Sequence, residues 1–151
     1  MSVLTKQPIV VPWDFSDMSS AALEKAMELA DSADQVVVVH VTPYPAAVEP
    51  SVVWGTYTEE NIQQNLLSSF RKEVPEDKYP GLIFVSFFGD PGSQITKHAK
   101  KIGAGLIVIS SHGRTGVTRF LMGSVAERVV RLAPCPVLVL RGESDESDES
   151  Q

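Results

Sequence analysis

ValValValValHisVal, residues 36–41, is a run of β-branched residues holding a single histidine. A strand with one face in water alternates apolar and polar side chains. A continuous apolar run marks a strand covered on both faces, as in parallel sheets packed between helices. Reading outward, Ile9 to Trp13 is a second such strand, and residues 17–30 between the two carry Ala22, Leu23, Ala26, Met27 and Ala30 at helical spacing. Downstream, Ile62, Leu66, Phe70 and Val74 recur every four residues and predict a helix that Pro75 ends. Leu82 to Phe88 reads as a third strand, GlyAspProGly from 89 as a turn, and Ile95, Ala99 and Ile102 as the stripe of a short helix closed by Gly103 and Gly105. Leu106 to Ile109, residues 124–132 and Val137 to Leu140 then give strand, helix and strand. Each parallel pair needs a crossover, so this alternation predicts an α/β fold: an open, mostly parallel, Rossmann-like sheet with helices on both faces. Ligands in such sheets bind beyond the carboxyl ends of the strands, where the strand order reverses.

The 151 residues, 43% apolar, suffice for one domain with a sizeable core. Five of the nineteen acids lie in residues 143–151, so residues 1–142 hold fourteen acids against thirteen bases. That near-neutral body lacks the basic excess that nucleic-acid binding needs. The division is therefore a domain over 1–142 and an acidic tail over 143–151, too polar to repay the entropy of ordering. No stretch is long and apolar enough to span or anchor in a membrane, and no basic segment leads into one, which predicts a soluble cytoplasmic protein. Cys135, the single cysteine, stands between Pro134 and Pro136 and reads as a small buried packing residue in a reducing compartment. His40 reads as a packing residue and His98 as a surface one. Residues 42–57, with three prolines, Gly55, Trp54 and Tyr57, read as a long loop, a length that usually accompanies a function.

Between the fourth strand and the last helix runs SerSerHisGlyArgThrGlyValThrArgPheLeuMetGlySer, residues 110–124. Gly113, Gly116 and Gly123 permit positive φ or close approach of backbone to a ligand, and Arg114 and Arg119 add positive charge. With the amides of a helix start, these describe a phosphate cradle, although glycine-rich turns also serve as plain strand-to-helix connections. Ser124 with Glu127 has the S-x-x-E form of a capping box, and Glu127 as a first-turn carboxylate counts against an anion nearby. His112 has the chemistry to bond phosphate or sugar. Asp14, just past the first strand, is placed to accept from an adenine amino group or a ribose hydroxyl, or equally to serve as a turn aspartate. No Walker-type glycine-lysine loop is present.

IleValValProTrpAspPheSerAsp at 9–17, ValValHisVal ending at 41 and SerHisGlyArgThrGly at 111–116, with the stretch from Gly123 to Leu140, together resemble the universal stress protein family, in its UspA-like, ATP-binding branch. The likeness runs from about Pro8 to Arg141. It implies a five-stranded parallel sheet in the order 3-2-1-4-5, homodimers paired through the last strand, and ATP bound at the strand ends. Gly113, Gly123 and Ser124 match the last three fixed positions of that branch's G-x-x-G-x9-G-[ST] motif, while Ser110 stands where the first glycine belongs. Carried over residue by residue, the resemblance puts Pro12, Trp13 and Asp14 beside the adenine or ribose, and Val41 in the base pocket. Ile109, Ser110 and His112 would flank the nucleotide, with Gly113, Arg114, Gly123, Ser124 and Val125 on the phosphates; were ATP hydrolysed, Mg²⁺ would be the ion to shield them.

Three readings of function follow. The first is a regulatory protein, homodimeric, whose ligand is ATP. The second is a dimeric interaction scaffold without nucleotide, which Ser110 favours. The third is an enzyme, at most a slow ATP hydrolase: neither a nucleophile elbow nor a cysteine-histidine pair is visible, and no general base stands out. The apolar Val137–Leu140 strand is an edge liability unless covered, which two copies pairing there would achieve.

Overall fold

A computed structural model of the chain describes residues 6–44, 58–112 and 122–142. Five parallel strands form one sheet in the order β3-β2-β1-β4-β5: β1 Ile9–Pro12, β2 Val36–Thr42, β3 Ile83–Phe88, β4 Leu106–Ser110 and β5 Val137–Leu140. Four helices make the crossovers: α1 Asp17–Leu29, α2 Glu59–Glu73, α3 Pro91–Ile102 and α4 Ser124–Leu132. A short 3-10 turn, Ala33–Gln35, precedes β2.

Alternation along the three central strands divides the core into two layers. Val11, Val36, Val38 and Val108 point to one face, against Ala22, Leu23 and Ala26 of α1 and Phe70 and Val74 at the end of α2. Val10, Val37, Val39 and Ile107 point to the other, against Ile95 and Ala99 of α3 and Ala126 and Val129 of α4. Every residue of β1 is buried, whereas the edge strands β3 and β5 are only partly covered. The continuous apolar runs thus mark strands with helices on both sides, as the sequence predicts.

Local chemistry moves two helix starts upstream of their apolar stripes. Thr58 caps α2, its hydroxyl accepting from the Asn61 amide at 3.1 Å. GlyAspProGly is not merely a turn: the Asp90 carboxylate accepts from the Ser93 amide at 3.0 Å and Pro91 is the first residue of α3. Proline suits that position because its φ is preset and the amide it lacks would have no partner there. At the other end Gly103 adopts φ +69° and closes α3, a left-handed conformation that a side chain would oppose.

Cys135 is half-buried rather than buried and packs against the layer of α3 and α4, and burial raises its thiol pKa. His98 is likewise half-buried, its ring tilted against Phe87 at 4.9 Å, because α3 lies on the sheet at that point. The long loop and the acidic tail fall, for residues 45–57 and 143–151, outside the described residues.

Candidate functional site

β2 and β3 follow β1 to one side of it, and β4 and β5 return to the other. The crossovers on the two sides diverge at the carboxyl ends of β1 and β4, which is where an open parallel sheet leaves a crevice. Here it is a cavity of about 290 Å³, near the lower end of the ~300–1,000 Å³ usual for small-molecule sites.

Its floor is apolar. Val39 and Val41 of β2 and Ile109 of β4 share one face of the sheet, and Ile95 of α3 packs over that face. Pro12, Trp13 and Asp14 form the wall at the end of β1, and Pro91 contributes from the start of α3. The opposite wall combines Ser110 and Ser111 at the end of β4 with Gly123, Ser124, Val125 and Ala126 at the start of α4.

The start of α4 differs from the capping box read from the sequence. Gly123 is the cap residue, with φ −62° and ψ 157°, and no side chain caps the helix. The first intrahelical bond runs from the Glu127 amide to the Gly123 carbonyl at 3.0 Å, so Ser124 is the first helical residue and its hydroxyl is past the position from which a cap bonds. Gly123 has an ordinary φ. A Cβ there would stand 3.2 Å from the Ser111 carbonyl oxygen, so it is close approach that the glycine serves. The Gly123 amide is also engaged, donating to that carbonyl at 2.6 Å. What α4 offers the cavity is therefore the amides that follow, from Ser124 onward, which have no partner within a helix. Glu127 pairs one turn along with Arg131 at 3.6 Å, which offsets its charge near the helix start.

At the end of β4 the Ser110 hydroxyl donates to the His112 carbonyl at 2.9 Å, and the Ser111 amide donates to the Leu140 carbonyl at 2.7 Å. Ser111 is buried, and its hydroxyl lies 3.2 Å from Nδ1 of His112. His112 itself is not in the cavity wall, and its Nε2 is buried without a partner among the described residues. Gly113 and Arg114 lie outside the described residues, as do Gly116 and Arg119.

On the far wall, the Asp14 carboxylate accepts from the Ser16 amide at 3.1 Å and from the Ser16 hydroxyl at 2.5 Å. Ser16 in turn caps α1, accepting from the Ser19 amide at 3.2 Å. Behind this turn the His40 ring bonds the Trp13 carbonyl through Nδ1 at 2.7 Å. Burial lowers the His40 pKa below its usual value, against the opposing pull of that hydrogen bond and of the Asp14 charge.

Nine of the twelve residues singled out from the sequence thus line one cavity: Pro12, Trp13, Asp14, Val41, Ile109, Ser110, Gly123, Ser124 and Val125. Val39, Pro91, Ile95, Ser111 and Ala126 complete the wall unannounced. Val39 was readable, since it shares the alternation of Val41. Pro91 and Ile95 were not, because only the packing of α3 brings them there. Among the described residues no three His, Cys, Asp or Glu side chains converge as a metal site would require.

Compared with known proteins, residues 6–141 match the model of the universal stress protein family. Universal stress protein MJ0531 of Methanocaldococcus jannaschii is 36% identical over 140 residues, covering 88% of this chain and 81% of that protein. Among solved structures, universal stress protein UspA from Lactobacillus plantarum superposes with a TM-score of 0.71 at 26% identity, covering 89% of this chain and 97% of that one. A universal stress protein in complex with cAMP superposes with a TM-score of 0.61 at 20% identity, covering 89% and 96%, a likeness of fold.

Proposed function

The chain belongs to the universal stress protein family, and from that membership we propose that it is a regulatory protein that binds an adenine nucleotide, ATP, and works as a homodimer. One observation carries the reading: α4 starts without a side-chain cap at the wall of a cavity whose opposite wall holds Asp14. Uncapped amides and the helix dipole favour an anion, and a carboxylate across an apolar floor favours a sugar hydroxyl or an amino group. A nucleotide has both ends.

In this reading the base lies on Val39 and Val41 beside Pro12 and the Trp13 backbone, with Asp14 at the ribose and Ile109 and Ser110 along its flank. The amides of Ser124 and Val125 meet phosphate, joined by Gly113 and Arg114, and His112 orders the turn that leads to them. Gly123 acts by holding the loop's return against Ser111. Mg²⁺, if bound, takes its ligands from phosphate oxygens and water, since the described residues supply no carboxylate cluster for it. That a protein of this fold was solved with cAMP supports an adenine nucleotide in such a frame. Occupancy would then work by mass action, stabilising the native state and the surface it presents to partners.

Titration calorimetry with ATP and adenosine tests this, using Ser124→Pro. Proline fits the first helical position and Gly123 already has the extended ψ that precedes a proline, so the variant deletes one amide and keeps the helix. Loss of one charge-assisted bond predicts an ATP affinity lowered by about tenfold with adenosine unaffected. No heat with ATP up to millimolar concentration would overturn the reading.

A second reading, a dimeric scaffold without nucleotide, draws on Ser110, whose hydroxymethyl group sits in the cavity wall and bonds His112. Ser110→Gly separates the two. Under the nucleotide reading it leaves ATP binding intact or tighter, and under the scaffold reading neither form shifts its melting temperature with any nucleotide.

A further inference from the structure

Both polar groups of the Trp13 main chain are taken by β2. Its amide donates to the Val39 carbonyl at 2.8 Å, and its carbonyl accepts from Nδ1 of His40 at 2.7 Å. A carbonyl has no proton to give, so the imidazole proton is on Nδ1 and the tautomer is fixed. The next residue is Asp14, and the one after it, Phe15, has φ +65°, the single non-glycine residue with positive φ among the described residues. A bulky aromatic residue rarely adopts that conformation, and it persists only where its surroundings leave it no other. The Phe15 ring is held edge-on by Trp13, with centroids 6.0 Å apart, and by His40, at 5.2 Å. Ser16 then bonds back to the Asp14 carboxylate and begins α1.

We propose that His40 is the positioning residue for Asp14: by hydrogen bond to the Trp13 carbonyl and ring contact with Phe15, it holds the strained turn that sets the Asp14 carboxylate in the cavity wall. His40 supplies both restraints from one side chain, on the strand next to the turn. A leucine of similar bulk would preserve the packing and release the carbonyl. Phe15 would then be free to relax to negative φ and carry Asp14 out of register with the cavity. Partial burial of the ring supports the role, since desolvation disfavours the charged imidazole.

The consequence for ligand rests on the nucleotide reading above, whereas the clamp does not, and the experiment separates them. His40→Leu, His40→Gln and His40→Asn are compared with wild type. The asparagine amide nitrogen falls where Nδ1 lies, so it replaces the donor, and the glutamine nitrogen reaches the Nε2 position and does not. Amide exchange at Ser16, which the Asp14 carboxylate protects, is expected to accelerate by about tenfold or more in His40→Leu and His40→Gln and to return to wild type in His40→Asn. ATP affinity is expected to fall by about tenfold in the same two variants, to recover in His40→Asn, and to fall no further when His40→Leu is added to Asp14→Ala. Affinity for 2′,3′-dideoxy-ATP, which lacks the hydroxyls Asp14 would hold, is expected to stay level across the set. Unchanged Ser16 exchange in a folded His40→Gln protein overturns the proposal, and an equal loss for ATP and its dideoxy analogue overturns the placing of Asp14 at the ribose. If wild type binds neither nucleotide, the nucleotide reading fails, and Ser16 exchange still decides whether His40 is the clamp.

Discussion

Arg128 of α4 lies across Gly92 of α3, so close that a Cβ at position 92 would stand 2.6 Å from its Cδ and 2.8 Å from its Cβ. The guanidinium beyond this crossing reaches the Asp90 carboxylate at 3.0 Å and the Ser93 hydroxyl at 3.2 Å, tying the helix that starts at Pro91 to the one that starts at Ser124. Both helix starts line the cavity. Gly92→Val is therefore expected to push α3 and α4 apart, lowering stability by about 1–3 kcal/mol as an overpacked contact does. Thermal unfolding measures the loss. Arg128→Ala alone should cost little, because the ion pair is exposed, and should partly rescue Gly92→Val.

Phe70 supports the opposite layer. It is fully buried, stacked on Phe84 at 4.4 Å and edge-on to Trp13 at 5.1 Å. Phe70→Ala is expected to cost about 3–5 kcal/mol in urea unfolding, and Phe70→Leu clearly less. Because Trp13 loses its partner, its fluorescence in the native state should also shift.

Stability should rise with pH across the acid side of neutrality. Burial lowers the folded-state pKa of His40, and burial followed by the Lys101 charge lowers that of His98. The unfolded chain then binds more protons between each lowered pKa and the ordinary value near 6.5, so stability is full above that value and is lost as pH falls below it. Urea midpoints should accordingly fall between pH 7.5 and pH 5, and replacing both histidines by asparagine should flatten the slope. Asp90 acts lower. Hydrogen bonds from Ser93 depress its pKa, so its contribution is present above the usual carboxylate value and disappears only as pH drops through the depressed one.

Leu138 on β5 is 36% exposed, and Leu132 just before that strand is 47% exposed. Under the homodimer reading these residues are covered by a second copy. Leu138→Asp is expected to convert a dimer to a folded monomer in sedimentation velocity at micromolar protein. A wild type already monomeric there would contradict the homodimer.

How much of this was legible in the sequence depended on whether the signal was local. The runs at Ile9 and Val36 announced strands covered on both faces, and β4, α4 and β5 were bounded almost to the residue. Asp90 and Pro91 misled because a cap followed by proline has the composition of a turn. Ser124 misled because S-x-x-E does not say which of two neighbouring residues ends the extended backbone, and here Gly123 does. In the site, residues at strand ends were readable from topology and resemblance. Pro91, Ile95 and Ala126 enter the wall only through helix packing, and the role of His40 depends on a contact across strands 27 positions apart in the chain.

The hollow exists because the polypeptide winds one way from β1 to β3 and the other way from β4 to β5. No individual side chain creates it. A descendant of this protein can exchange every group that touches a guest molecule and still inherit a vacancy at the same place in the sheet, so taste for one small metabolite over another is free to drift while the architecture stays put.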